Sequence, residues 1–346
     1  MPQYDIEIRN TNVASDLSDC VIVLDFAKAS ADCQAWLYAN AKSDGTDIRV
    51  YLSDGVTQLN HDLISFSKPG TDQVAGYMRI LVPNVDSSAN TPLRLDCDGA
   101  RSDGSTTATY PANYRCYLTL DEDAGGSAPQ FIDRTAYGNN ATANSMSGNI
   151  SGKIGNGVAT FGSPDYVNAG FCGMTNSDAF VVSFWTNASQ FGGVGRGLYN
   201  VWNVACFALP TGYYFYVVTG SASECNLVVA ESLSGWVKFT GSWNPSVAAQ
   251  MFGNGVLLAT SNSPGSVLRS SPFGWILGRT ADHYYIAEFD DFLLRSGTTS
   301  QALEAFLFAN ESSSDNEIDY IGEVSVATAK PWLYRRGSQM IGGGIL

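Results

Sequence analysis

Short alternating runs, each closed by a tight-turn dipeptide, are the feature that most restricts what this chain can fold into. Asp44-Gly45, Asp54-Gly55, Asp98-Gly99 and Asp103-Gly104 punctuate its N-terminal third. A strand sends successive side chains to opposite faces, and Asp-Gly supplies the positive φ that a two-residue hairpin needs. Period-two segments at residues 4–9, 20–26, 48–52, 58–66, 77–82 and 93–97 therefore predict strands, with a hairpin about Asp54-Gly55. Residues 31–41 predict a single short helix. Only 15% of the residues are charged and 35 are glycine, a mixture that suits short strands and turns better than long helices. The fold class expected is all-β.

At 346 residues the chain exceeds what one core usually organises. Residues 102–113 are Ser/Thr-rich, carry Pro111 and have no apolar period. They separate an N-terminal β-sandwich at 1–112 from a second unit at 113–325. The second unit opens on the alternating run Tyr117-Leu-Thr-Leu, passes through a polar Gly/Asn/Ser-rich stretch and re-enters a strand at Gly155-Asn-Gly157. Further strands are expected at 180–185, 213–219, 226–230, 236–243, 248–252, 256–259, 275–277, 287–295 and 318–324, with a hairpin at Gly253-Asn254-Gly255. Thr298 and Gln301 form a capping box ahead of a helix at 302–308. Residues 326–346 have neither period nor turn logic and predict an extended arm.

A net charge of −14, with 19 basic against 33 acidic residues, excludes nucleic acid as a natural partner. Lys330, Arg335 and Arg336 are the one basic concentration. They read either as a solubilising tail or as a docking peptide for an acidic surface. Seven cysteines at 20, 33, 97, 116, 172, 206 and 225 show no CxxC and no ligand spacing, which fits synthesis in a reducing compartment. The N-terminus has no basic-then-apolar leader, and no apolar run approaches the ~18 residues of a membrane span. Neither export by the usual route nor membrane insertion is expected.

The second unit resembles the concanavalin A-like, or laminin-G-like, jelly-roll domains. The resemblance is carried by Leu118-Thr-Leu-Asp-Glu122, Asp133-Arg-Thr-Ala-Tyr-Gly-Asn-Asn140, Gly152-Lys-Ile-Gly-Asn-Gly157, Ser183-Phe-Trp185, Gly235-Trp-Val-Lys-Phe239, Phe252-Gly-Asn-Gly255 and Ala287-Glu-Phe-Asp-Asp-Phe292. The first unit resembles an uncharacterised bacterial and phage β-domain that accompanies such modules, through Asp47-Ile-Arg-Val-Tyr51, Leu59-Asn-His-Asp-Leu63 and Gly76-Tyr-Met-Arg-Ile-Leu-Val-Pro83. The resemblance implies a structural Ca²⁺ held by Asp133, Asn139, Asp290 and Asp291, since a hard cation wants converging oxygens. It also raises glycoside hydrolysis of the laminarinase type, which needs Glu-x-Asp-x-x-Glu along one strand. Glu288-Phe-Asp290-Asp291-Phe-Leu293 supplies the first two acids and places Leu293 where the proton donor belongs.

Other chemistry finds no support. The two histidines, His61 and His283, have no G-x-S-x-G partner. The glycine loop at 148–154 ends in Ile rather than Ser or Thr. The Asp/Gly run at 96–104 has no bidentate glutamate. Trp202, Tyr284 and Tyr285 are the candidates for stacking on sugar faces. A lectin-type module without an export signal predicts a non-enzymatic bacteriophage virion protein, made in the host cytoplasm. It would serve as capsid decoration or tail-fibre component, with other virion proteins and host-surface glycans as partners, in a homo-oligomer. A polysaccharide hydrolase and a free-standing carbohydrate-binding adhesin are the alternatives.

Overall fold

A computed structural model describes residues 2–324 except 190–191, 197–203, 219–223, 246, 263–264, 266–267, 269–273 and 281–282. The chain is all-β, built from antiparallel sheets with two α-helices among the described residues. The expected arm at 326–346, with Arg335 and Arg336, and the candidate Trp202 lie outside the described residues.

The first unit packs a four-stranded sheet against a three-stranded one. The four-stranded order is Ile318–Glu323, Gln3–Ile8, Thr91–Asp96, Arg49–Leu52; the three-stranded order is Leu17–Asp25, Gln73–Val85, His61–Gly70. Strict alternation in Gln3–Ile8 buries Tyr4, Ile6 and Ile8, which meet Ile22, Met78, Ile80 and Leu95 in one core. Helix α1 (Ala31–Asn40), capped by the Ser30 hydroxyl accepting from the Cys33 amide, adds Trp36 and Leu37. The Asp54-Gly55 turn forms, its carboxylate accepting from the Val56 and Thr57 amides at 2.8 Å. The expected hairpin pairs back only briefly, Gln58 bridging to Tyr51 and the Leu59 amide donating to the Val50 carbonyl at 2.8 Å. His61–Gly70 crosses to the other sheet and hairpins with Gln73–Val85, because its apolar face is needed there.

The second unit is a sandwich of two larger sheets. One runs Val256–Asn262, Ala248–Gly253, Trp236–Asn244, Phe180–Asn187, Ile286–Ser296, Asn156–Phe161, Ile150–Ser151, with Tyr114–Leu118 also on Ile286–Ser296. The other runs Glu224–Ala230, Gly212–Val218, Val204–Leu209, Gly192–Arg196, Trp275–Leu277, Tyr166–Gly170, Thr142–Asn144. Aromatic rings fill the gap: Phe180 meets Trp275 at 5.5 Å and Phe215 meets Phe239 at 6.3 Å. The sheets approach so closely at Gly241 that a Cβ there would lie 2.8 Å from the Phe215 ring. The hairpin at Gly253-Asn254-Gly255 forms with positive φ at Asn254 and Gly255, as two-residue turns require.

The last two described elements do not stay with the sandwich that precedes them. Helix α2 (Gln301–Ser312) starts at Ser300, whose hydroxyl accepts from the Leu303 amide, rather than at Thr298. Its Phe306 and Leu307 enter the core of the first unit, as does Ile318 of the strand that follows. That strand pairs with Gln3–Ile8 and completes the first sheet. The Asn310 side chain reinforces the join, donating to the Val23 carbonyl at 3.1 Å and accepting from the Val23 amide at 2.8 Å. The chain therefore enters the first unit, leaves to build the second, and returns. Residues 1–112 expressed alone are expected to give no cooperative urea transition by circular dichroism. Fusing residues 298–324 to them through a flexible linker is expected to restore one.

Candidate functional site

The strand Ile286–Ser296 decides what its carboxylates can do. Asp291 has φ +51°, and the register to Phe180–Asn187 slips between Ser183 and Trp185, which marks a bulge. Ala287 and Phe289 before it, and Phe292 and Leu294 after it, all face the sandwich core. Asp290, Asp291, Leu293 and Arg295 are left on the outer face, which the first unit and α2 cover. Asp290 accepts from the Ile154 amide at 2.7 Å. Asp291 pairs with the Arg79 guanidinium and accepts from the Tyr117 hydroxyl. Arg79 reaches Glu311 at 3.3 Å, and Glu311 also accepts from Lys238 at 2.6 Å and Trp185 Nε1 at 2.7 Å. Arg295 pairs with Glu304 at 2.7 Å, and Glu304 accepts from Thr240 at 3.0 Å. Charges this deep persist only when paired.

Burial pushes the Asp291 carboxyl up to about 6 even though Arg79 pulls it down. Burial, with Asp291 beside it, drives Asp290 well above the carboxylate range. Burial also opposes ionisation of Glu311, but Lys238 and Arg79 outweigh it and hold that carboxyl below its usual value.

These residues do not fit a Ca²⁺ ion. Both Asp133 oxygens are consumed by its own loop and the strand before it: Oδ1 accepts from the Tyr117 and Thr135 amides at 3.0 Å, and Oδ2 from the Asn139 amide at 2.7 Å and the Thr135 hydroxyl at 2.9 Å. The Asn139 side chain donates to the Arg115 carbonyl at 2.7 Å. Asp291 is committed to Arg79 and Tyr117, and Asp290 Oδ2 to the Ile154 amide, which leaves Asp290 Oδ1 as the one buried oxygen of the pair without a partner. One free oxygen is too few for a Ca²⁺ ion, and no group of three or more His, Cys, Asp or Glu side chains suited to a metal exists among the described residues. Asp133 clips a turn instead of ligating. His61 is buried, with Nδ1 3.2 Å from the Leu59 carbonyl.

The solvent-facing candidate lies where the chain turns from one sheet of the sandwich to the other. Tyr284 and Tyr285 separate there. Tyr285 turns inward, edge-on to Phe207 at 5.6 Å and against the core. Tyr284 pairs with Tyr166, ring centroids 6.4 Å apart, and the Arg279 guanidinium lies 4.7 Å from the Tyr284 ring and 5.3 Å from the Tyr166 ring. The neighbouring cross-strand pair Phe161 and Ile286 is 66% and 51% exposed. Together they make a small apolar patch beside the Tyr166–Tyr284 pair. The turn between Phe161 and Tyr166 is fixed by Asp165, whose amide donates to the Gly162 carbonyl at 2.7 Å and whose carboxylate accepts from the Phe161 amide at 3.0 Å. Asn144 holds the same turn through the Pro164 carbonyl at 2.6 Å. Tyr166, Arg279, Phe161 and Ile286 were not among the binding candidates the sequence offered. Strand phase could have flagged Phe161, which falls on the face opposite Val158.

No protein-family model matches the chain, and no curated protein is significantly similar to it. Among solved structures it resembles the binding domain of Paraclostridial Mosquitocidal Protein 1, at 11% identity and a TM-score of 0.44, over 57% of this chain and 52% of that one. It also resembles the binding domains of botulinum neurotoxin serotype G, at 15% identity and 0.45 over 58% and 52%, and serotype D, at 14% and 0.44 over 59% and 52%. The chain thus spans about half the length of these structures. Similarity of this order carries no information about ligand or partner.

A raised carboxyl binds more protons folded than unfolded, so its charge costs stability as pH rises from the ordinary carboxylate range through the folded value. For Asp291 that window runs from the usual range up to about 6; for Asp290 it extends higher. Asp290→Asn keeps an acceptor for Ile154 and removes the charge. It is expected to stabilise the protein at about pH 8 by on the order of 1–3 kcal/mol, and the gain should vanish toward about pH 4. Urea melts of both proteins across that range check it.

Proposed function

We propose that this chain is a carbohydrate-binding module without catalytic chemistry of its own, carried on a bacteriophage particle as capsid decoration or a tail-associated protein. The observation that carries the binding reading is the half-buried pair Tyr166 and Tyr284 flanking Arg279, next along the chain to the exposed pair Phe161 and Ile286. Apolar ring faces stack on the CH patches of a sugar ring, and a neighbouring cation supplies donors for its hydroxyls. The two facing antiparallel sheets support reading the second unit as a concanavalin A-like jelly roll. The non-catalytic reading is supported by the ion pair of Asp291 with Arg79, by Asp290 accepting from the Ile154 amide, by Leu293 where a proton donor would stand, and by Glu288, whose Oε2 accepts from Asn187 Nδ2 at 2.8 Å. All seven cysteines are buried and unpaired, which supports assembly in a reducing cytoplasm before release by lysis.

Arrayed bacterial surface polysaccharides test the reading. Tyr284→Ala and Tyr166→Ala are each expected to weaken binding about tenfold, the effect of losing ~1.4 kcal/mol at the centre of a contact, with Tm unchanged. Tyr285→Ala is expected to lower Tm instead. Absence of binding by the wild type to any such polysaccharide defeats the carbohydrate reading. Release of reducing sugar that disappears in Glu288→Gln defeats the non-catalytic one. Failure to find the protein in purified particles defeats the virion placement.

A further inference from the structure

The ionic interface between the two units encloses a cavity of about 20 Å³, lined by Arg79, Arg295, Lys238, Asp291, Glu304 and Glu311 with Tyr114 and Tyr117. That is room for one small occupant. The hydrogen-bonding capacity of its wall is lopsided. Every carboxylate oxygen is already accepting: Asp291 from Tyr117 and Arg79, Glu304 from Arg295, Thr299 and Thr240, Glu311 from Arg79, Lys238 and Trp185. Two donors are left over. The Nε atoms of Arg79 and Arg295 are buried without a partner, on side chains only 3% and 5% exposed. A buried donor left unmet costs free energy, more so on a charged group.

We propose that this cavity is a binding site for a single small monovalent inorganic anion, with chloride as its ordinary occupant, held by the Nε–H groups of Arg79 and Arg295. A halide accepts from both Nε–H groups at once and needs no acceptor in return, so it meets the two leftover donors directly. The charge balance agrees. Asp291 is faced by Arg79 and Tyr77 from one strand, Tyr117 from another, Glu311 from α2, Asp121 from the loop after Tyr114–Leu118, and Asp290 beside it. Burial holds its carboxyl at about 6 in that company. As it takes up a proton, three cations face two anions, and a monovalent anion restores neutrality. The bound ion then bridges an arginine of the first unit to one of the second.

Two measurements on the whole protein test this. Crystals grown in sodium bromide are expected to show an anomalous peak within hydrogen-bond reach of both Nε atoms. In solution, Tm is expected to rise with the logarithm of chloride or bromide concentration relative to gluconate at matched ionic strength. That increment should be larger at about pH 5 than at about pH 8. Arg295→Lys keeps the charge but removes one Nε–H, and is expected to abolish the halide-specific increment. Should that variant fail to fold, the wild-type bromide map decides alone. An ordered water with no anomalous signal, or equal Tm in halide and gluconate, overturns the proposal.

Discussion

The guanidinium of Arg79 is where the two units become one protein. It is 3% exposed, pairs with Asp291 of the sandwich and Glu311 of α2, and lies 5.1 Å from the Tyr117 ring. Desolvating an arginine and two carboxylates costs several kcal/mol per ion, and their attraction does little better than offset that loss. Net stability is therefore a poor account of why such a cluster persists. Its value lies in discrimination: any other docking of the units leaves at least one of these charges in a low dielectric without a counterion. Apolar neighbours such as Val21, Tyr110 and Leu293 supply the contact area, and the ions fix which geometry is allowed.

How much of this was legible in the sequence follows from how local each signal is. Turns and alternation depend on a few consecutive residues, so the all-β class, α1 and the Gly253-Asn254-Gly255 hairpin were readable. The return of the chain to its first sheet was not, because nothing in Ile318–Glu323 names its partner; only the unfilled edge of Gln3–Ile8 does. The bulge at Asp291 was hidden for a similar reason. Glu288, Asp290 and Asp291 read as a catalytic or metal-binding strand, and the positive φ at Asp291 marks where that residue leaves the run to meet Arg79. Asp133 looks the same on paper whether it holds a cation or four loop donors. The aromatic pair Tyr284-Tyr285 was a fair signal for the rim, yet it could not say which ring faces solvent or that Tyr166 and Arg279 would join it.

Covering one face of a sandwich restricts where ligand can bind. The outer face of the larger sheet is occupied by α2 and the first unit, so its polar side chains are spent on holding the molecule together. The margin where the chain passes between sheets stays open, and that is where Phe161, Tyr166 and Tyr284 lie. A stiff turn there, held by Asp165 and Asn144, keeps the rings in place without a ligand, which reduces the ordering cost of binding.

The pairing of Gln3–Ile8 with Ile318–Glu323 also sets a timetable. On the ribosome the first unit's opening strands emerge early and must wait, one edge unmatched and part of its core absent, until nearly the entire described chain has been made. The interrupting sandwich has all its strands first and is free to collapse on its own. Nascent protein therefore carries an incomplete N-terminal half through most of elongation, and the slow closure of a very long loop becomes its last act of folding.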